Sequence, residues 1–216
     1  MTGPAIRILI VDDHPLFREA LGQALQTSLA GAQVFQAGSL DAAQAEVDRG
    51  EEFDLVLLDL RMPGVQGLNG LMYLRVRYPR LPIAIVSASE ESGIAGRVID
   101  VGASGFIPKS AGVSTILEAI DTVLGGEVWL PADAGKVGID PEVSDIARRV
   151  ATLTAQQIRV LMMLREGLLN KQIAFDLDIS EATVKAHVSA ILQKLRVSSR
   201  TQAVIAAGKL DGRAAE

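Results

Sequence analysis

The 216-residue sequence contains no cysteine. Disulfides and thiolate metal sites are thereby excluded, and a reducing compartment fits. Aromatic residues are scarce at 4%, against 49% hydrophobic residues overall, a profile that suits a soluble α/β protein rich in Val, Ile, Leu and Ala. No apolar run reaches the ~18 residues of a membrane span, and "MTGPAIRILI" lacks the basic region and cleavage site of a secretory signal. A cytoplasmic protein with no membrane partner is expected.

What is present is unevenly spread. The net charge is −5, yet residues 1–147 carry 10 Lys+Arg against 20 Asp+Glu, and residues 148–216 carry 11 against 6. An acidic part joined to a basic part suggests two domains with different partners, the second suited to a polyanion. Ordinary solvated faces would give the same balance, so motifs must decide.

Short apolar runs recur at 6–11, 32–38, 53–60, 82–88 and 105–109, and segments with helical spacing lie between them. The first such segment, "PLFREALGQALQTS", sets Leu16, Phe17, Ala20, Leu21, Ala24 and Leu25 on one side. Strand alternating with helix five times predicts a doubly wound, five-stranded parallel sheet covered on both faces, since parallel pairs need crossover connections. Runs 55–58 and 83–86 are continuously apolar, as strands buried on both sides should be. From about 132 to 150 the pattern dissolves into small residues, Gly, Pro and charges, which predicts a linker that is partly helical near its end. From 153 onward helices alone are suggested, at 155–166, 171–177, 181–195 and 200–209. "TAQQ" (154–157) and "SRTQ" (199–202) fit capping boxes, with Asn170 and Ser180 as single N-caps.

Three aspartates end strands: Asp12 and Asp13 after the first, Asp59 after the third. In the order 2-1-3-4-5 those strands are neighbours at the switch point where such sheets bind ligands. Alone, each Asp could simply cap the following helix. Together they form a costly cluster that a hard divalent cation such as Mg²⁺ resolves, leaving coordination for phosphate oxygens. Ser87 ends the fourth strand and Lys109 follows the fifth, adding a hydroxyl and an ammonium of the kind that hold a phosphoryl group. One carboxylate can then act as nucleophile.

This set, with "MPG" just after Asp59 and "PK" after the fifth strand, resembles the CheY-like receiver domains of bacterial two-component response regulators, over roughly residues 5–128. The resemblance implies Asp59 as phosphoacceptor. It implies Mg²⁺ held by Asp13 directly, by Asp12 largely through water, by Asp59, and by the backbone carbonyl of Arg61. Ser87 and Lys109 would contact phosphoryl oxygens, and Phe106 would be the aromatic that swings inward as Ser87 moves; a plain core Phe is the alternative. Gln66 departs from the frequent Asp or Asn of "MPGxDG", and Gly70 is expected inside the third helix, at about 1 kcal/mol relative to Ala.

In the basic part, "NKQIAFDLDISEATVKAHVSAILQKL" reads as short helix, tight turn and longer helix. Val184, Val188, Ile191 and Leu195 form a narrow apolar stripe, while Ala182, Ala186, Ser189 and Gln193 lie opposite, small and polar enough for a major groove. Lys171, Lys185, Lys194, Arg196 and Arg200 could reach phosphates. Many small bundles contain such a helix pair. The frame "G…NKxIA…L…IS…TVKxHV…ILxKL" nevertheless resembles the LuxR-type four-helix DNA-binding domain over roughly 150–212. By that resemblance 180–194 is the recognition helix. Ser180, Thr183, Lys185, Ala186, His187 and Ser189 would face double-stranded DNA, beside Lys171 and Lys194, and the last helix would offer a dimer face. His187 flanks the apolar stripe, so packing is an open alternative. Ser189 replaces a common Lys, and Phe175, Asp176 and Asp178 stand where basic residues often occur, so a shallower salt slope is expected.

Receiver (1–128), linker (129–150) and LuxR-type domain (151–216) together resemble the NarL/FixJ class of response regulators. The implied function is a phosphorylation-controlled transcriptional regulator. A sensor histidine kinase phosphorylates Asp59, homodimers form on an inverted-repeat site, and RNA polymerase is a further partner; the protein is not an enzyme beyond its own phosphoryl chemistry. One alternative is an atypical, phosphate-independent receiver switched by protein contact or abundance. Another, a phosphatase of the haloacid-dehalogenase type, would want a second Asp at position 61, which is Arg.

Overall fold

The structure is a computed structural model describing residues 5–50, 52–63, 65–89, 93–132 and 141–210. The chain divides into two compact units, Met1–Gly138 and Ile139–Glu216.

The first unit alternates strand and helix: β1 (Arg7–Val11), α1 (Pro15–Ser28), β2 (Gln33–Ala37), α2 (Leu40–Asp48) and β3 (Leu55–Leu58). A two-stranded antiparallel hairpin follows, β4 (Arg61–Met62) and β5 (Val65–Gln66). Then come α3 (Asn69–Arg77), β6 (Ile83–Ser87), α4 (Ile94–Asp100), β7 (Gly105–Pro108) and α5 (Val113–Leu124). The five long strands pair in parallel in the order β2-β1-β3-β6-β7, which is the expected 2-1-3-4-5. Alternate strand residues serve opposite faces. Ile8, Ile10, Leu55, Leu57, Ala84, Val86 and Ile107 pack with Leu21 and Leu25 of α1 and Ile116, Ala119, Ile120 and Val123 of α5. Leu9, Val11, Val56, Leu58 and Ile85 are equally buried on the other face. Continuous apolar runs in β3 and β6 are the direct result.

The structure refines three local expectations. Leu16 is 81% exposed, because α1 buries only the stripe through Leu21, Gly22 and Leu25. Gly70 lies inside α3 as expected, but in its first turn, where the interior-helix penalty does not apply in full. Trp129, placed by sequence in the linker, returns to the sheet: its carbonyl accepts from Phe106 N at 3.0 Å, and its N donates to Ser104 O at 3.2 Å. Gly105 permits this approach, since a Cβ there would stand 3.1 Å from the Trp129 oxygen.

The second unit is helical: α6 (Pro141–Val150), α7 (Ala155–Arg165), α8 (Asn170–Asp176), α9 (Glu181–Leu195) and α10 (Arg200–Leu210). The middle of the expected linker, 133–140, lies outside the described residues, while its end forms α6. That helix buries Val143, Ile146, Ala147 and Val150 and packs on α9 and α10. Thr154 and Gln157 complete the expected capping box on α7, whereas Ser199 makes only half of one, because Gln202 Oε1 accepts from Ser198. Asn170 is the first residue of α8 rather than its cap; the N-cap is Leu169, whose N–H donates to Gln172 Oε1 at 2.7 Å. No helix among the described residues is long and apolar enough to cross a membrane.

Candidate functional site

The parallel register builds the first site. Val11 and Leu58 are partners on β1 and β3, so the residues that follow, Asp12 and Asp59, emerge side by side. Main-chain bonds fix both: Asp12 N donates to Ala37 O (3.1 Å) and Asp59 N to Val11 O (2.8 Å). Ser87 ends β6, and Lys109 N donates to its carbonyl at 2.9 Å. The tips of four of the five strands therefore converge. Asp12 and Ser87 are each 1% exposed and Asp59 3% exposed.

Lys109 holds the centre. Its Nζ lies 2.5 Å from Asp12 Oδ2 and donates to Asp59 Oδ2 at 2.7 Å. The other Asp59 oxygen accepts from Arg61 N (3.2 Å). Asp12 Oδ1 accepts from His14 N at 2.8 Å, and the His14 ring Nδ1 lies 3.0 Å from Asp12 and 2.8 Å from Asp13. Ser87 Oγ accepts from Ser89 N at 3.1 Å, an arrangement in which its own proton can still be donated. The Phe17 ring stands 4.8 Å from the Lys109 ammonium.

Electrostatics here are unbalanced. Burial pushes the Asp59 carboxyl above the usual range, and neighbouring Asp12 adds to this, outweighing the bond from Lys109. Burial alone would lower Lys109, but the bonds to Asp12 and Asp59 hold it above its ordinary value. The two shifts pull in opposite senses on one ion pair: the ammonium is stabilised by two acids, whereas the Asp59 carboxylate is disfavoured first by burial and then by the nearby Asp12 charge. Oxygens of Asp12, Asp13 and Asp59, with a His14 nitrogen, lie within 4.8 Å of one another. That oxygen-rich set with excess negative charge fits a hard divalent cation.

Phe106 is buried on β7, at 4% exposure, paired with Ile85 in the strand register. Two features escaped sequence reading. Phe17 carried only a core-stripe signal, and His14 none that linked it to both preceding acids.

In the second unit, Val184, Ile191 and Leu195 bury one side of α9. Ala182, Lys185, Ala186, Ser189 and Gln193 are exposed on the helix, and His187 is half-buried. Ser180 caps it, its Oγ accepting from Thr183 N at 3.0 Å. Lys171 is exposed on α8, and Lys185 pairs loosely with Glu181 (3.2 Å). Two expected phosphate contacts are otherwise engaged. Lys194 Nζ donates to Thr152 O (2.7 Å) and Gln157 Oε1 (2.8 Å), and Arg200 donates to Leu168 O (2.5 Å). Asp178 explains its own presence: it takes the left-handed conformation (φ 52°) in the turn between α8 and α9, which Asp tolerates better than most residues. Phe175 is 86% exposed.

Comparison with known proteins places both units. Residues 8–121 match the response regulator receiver domain, and residues 151–207 match the bacterial regulatory proteins of the luxR family. A glycerol metabolism activator of Pseudomonas putida is 42% identical over 95% of this chain and 96% of its own. The nitrate/nitrite response regulator protein NarP of Escherichia coli is 35% identical over 92% and 93%. The RcsB response regulator of Salmonella typhimurium shares the fold, with a TM-score of 0.56 at 19% identity over 94% of this chain and 97% of that one. The chain is a transcriptional regulator and belongs to the two-component response regulators in which a receiver domain is joined to a LuxR-type DNA-binding domain.

Proposed function

We propose that Asp59 accepts a phosphoryl group and that this controls DNA binding by the helical domain. The convergence of Asp12, Asp59 and Lys109 carries the reading: a buried nucleophile beside a cation that can follow the charge. An Asp59 oxygen attacks the phosphorus of a sensor kinase phosphohistidine or of a small acyl phosphate. A P–O bond forms, the donor's P–N or P–O bond breaks, and the leaving group keeps the electron pair. Mg²⁺, held by Asp12, Asp13, Asp59 and the Arg61 carbonyl, would neutralise charge on the phosphoryl oxygens. Lys109 transfers its hydrogen bond from carboxylate to phosphoryl oxygen, and the Ser87 hydroxyl donates a second.

Ser87 then moves. Phe106 is already buried, so the shift repacks that ring against β6 and β7 instead of bringing it in from solvent. The altered edge favours homodimers on an inverted-repeat DNA site, with greater exposure of α9, and transcription responds through RNA polymerase. Lys171, Ser180, Thr183, Lys185, Ala186, His187 and Ser189 face DNA; Lys194 is left out because its ammonium serves the fold. The receiver domain runs past Trp129, and the DNA-binding domain includes α6.

Treating the full chain and Asp59→Ala with acetyl phosphate and Mg²⁺ tests this. The parent chain should shift on a phosphate-retarding gel and bind operator DNA more tightly, and Asp59→Ala should do neither. An unlabelled parent chain that binds DNA with unchanged affinity would establish the phosphate-independent alternative.

A further inference from the structure

We propose that Phe17 is a positioning residue for Lys109: its ring face holds the ammonium at the acidic cluster so that the charge is in place when phosphoryl oxygens arrive. The inference rests on Asp59 being the phosphoacceptor. Its ground is geometric. Among the described residues, Lys109 Nζ lies 2.5 Å from Asp12, 2.7 Å from Asp59 and 4.8 Å from the Phe17 ring centroid, the last well within cation–π range.

Lysine is a strongly hydrated point charge on a flexible four-carbon stem. Phosphorylation of Asp59 would remove that carboxylate from Lys109, and Asp12 is also a residue that would hold a divalent cation, so neither acid alone keeps the ammonium in place. The side chain then has two destinations, the phosphoryl oxygen or bulk water. An aromatic face attracts the ammonium without supplying an oxygen that competes with phosphate, and it screens one side from water. Phe17 is suited to this: it is half-buried on the first turn of α1, while Leu16 beside it is 81% exposed. The ring also packs against the sheet core, so packing and positioning must be separated by experiment.

Three full-length variants separate them: Phe17→Leu keeps apolar bulk without the π face, Phe17→Met does so with a flexible chain, and Phe17→Tyr keeps the face. Two quantities are read on each, the acetyl phosphate labelling rate and the NMR signal of reductively methylated Lys109, which a nearby ring shifts upfield. Thermal melts identify any variant that fails to fold. Leu and Met should erase the ring shift and slow labelling by about 2- to 10-fold, the range a cation–π contact supports; Tyr should preserve both. Wild-type labelling in folded Leu and Met variants, or a Tyr variant as slow as Leu, overturns the inference. A parent chain that takes no label fails the Asp59 reading instead, and the Lys109 signal then still decides whether Phe17 holds the ammonium.

Discussion

Lys109 donates to Asp59 Oδ2 across 2.7 Å while standing 2.5 Å from Asp12, so one ammonium balances two nearly inaccessible acids. Replacing it with methionine, Lys109→Met, leaves both carboxylates without their cation. The receiver should lose about 1–3 kcal/mol, the cost of stranding a buried polar group, with the higher figures for sealed ion pairs reduced by the partial exposure of Lys109. Urea unfolding in EDTA measures the loss. Mg²⁺ should restore more stability to this variant than to the parent, because it replaces the missing charge.

The Asp59 shift fixes a sign. Its carboxyl is held above the ordinary value by burial, so the folded protein binds the proton more tightly than the unfolded chain does. That contribution is full below the unfolded value and is lost as pH rises through the folded one. The neutral variant Asp59→Asn should therefore gain on the parent as pH rises across this window, from near 4 upward. Melting curves in EDTA from pH 4 to pH 7 should show the difference in Tm moving in favour of the variant; a difference moving the other way would mean that Lys109 outweighs burial.

Two lysines on α9 should behave differently. Lys185 is exposed, whereas Lys194 is tied to Thr152 and Gln157. Lys185→Ala should lower the salt slope of DNA binding by about one unit, as expected for one lost phosphate contact. Lys194→Ala should leave the slope unchanged and destabilise the helical domain. Affinity titrations across a salt series, with melting curves, check both.

Ile191 has no exposed surface and sits where α9 packs into its domain. Ile191→Ala should cost about 2–5 kcal/mol through lost burial and a cavity. DNA binding should fall sharply while Asp59 still takes label from acetyl phosphate, since the two chemistries occupy different compact units.

Much of this was legible in the residues. Doubly apolar runs fixed β3 and β6 because a strand covered on both faces cannot alternate, and the acids at 12 and 59 became neighbours once the strand order was known. Ser180 announced the start of α9 through its cap. What stayed hidden involved contacts distant in sequence or main-chain choices. The Phe17–Lys109 contact spans most of the receiver, and Lys194 looked like any basic residue beside a recognition helix until its acceptors were located. Helix α6 was legible only in part: the end of the linker was expected to be partly helical, but small residues and charges around "DPEVSDIARRV" hid how far the helix extends, although the Val143, Ile146, Ala147 and Val150 spacing is helical.

Trp129 is the only tryptophan in the chain, and its backbone is stitched to the strand carrying Phe106. The protein therefore contains a native optical probe within one hydrogen bond of the proposed moving part. Its emission can follow the receiver through a stopped-flow mixing experiment with no dye attached, reporting how fast the strand edge responds and whether that response keeps pace with the labelling of Asp59.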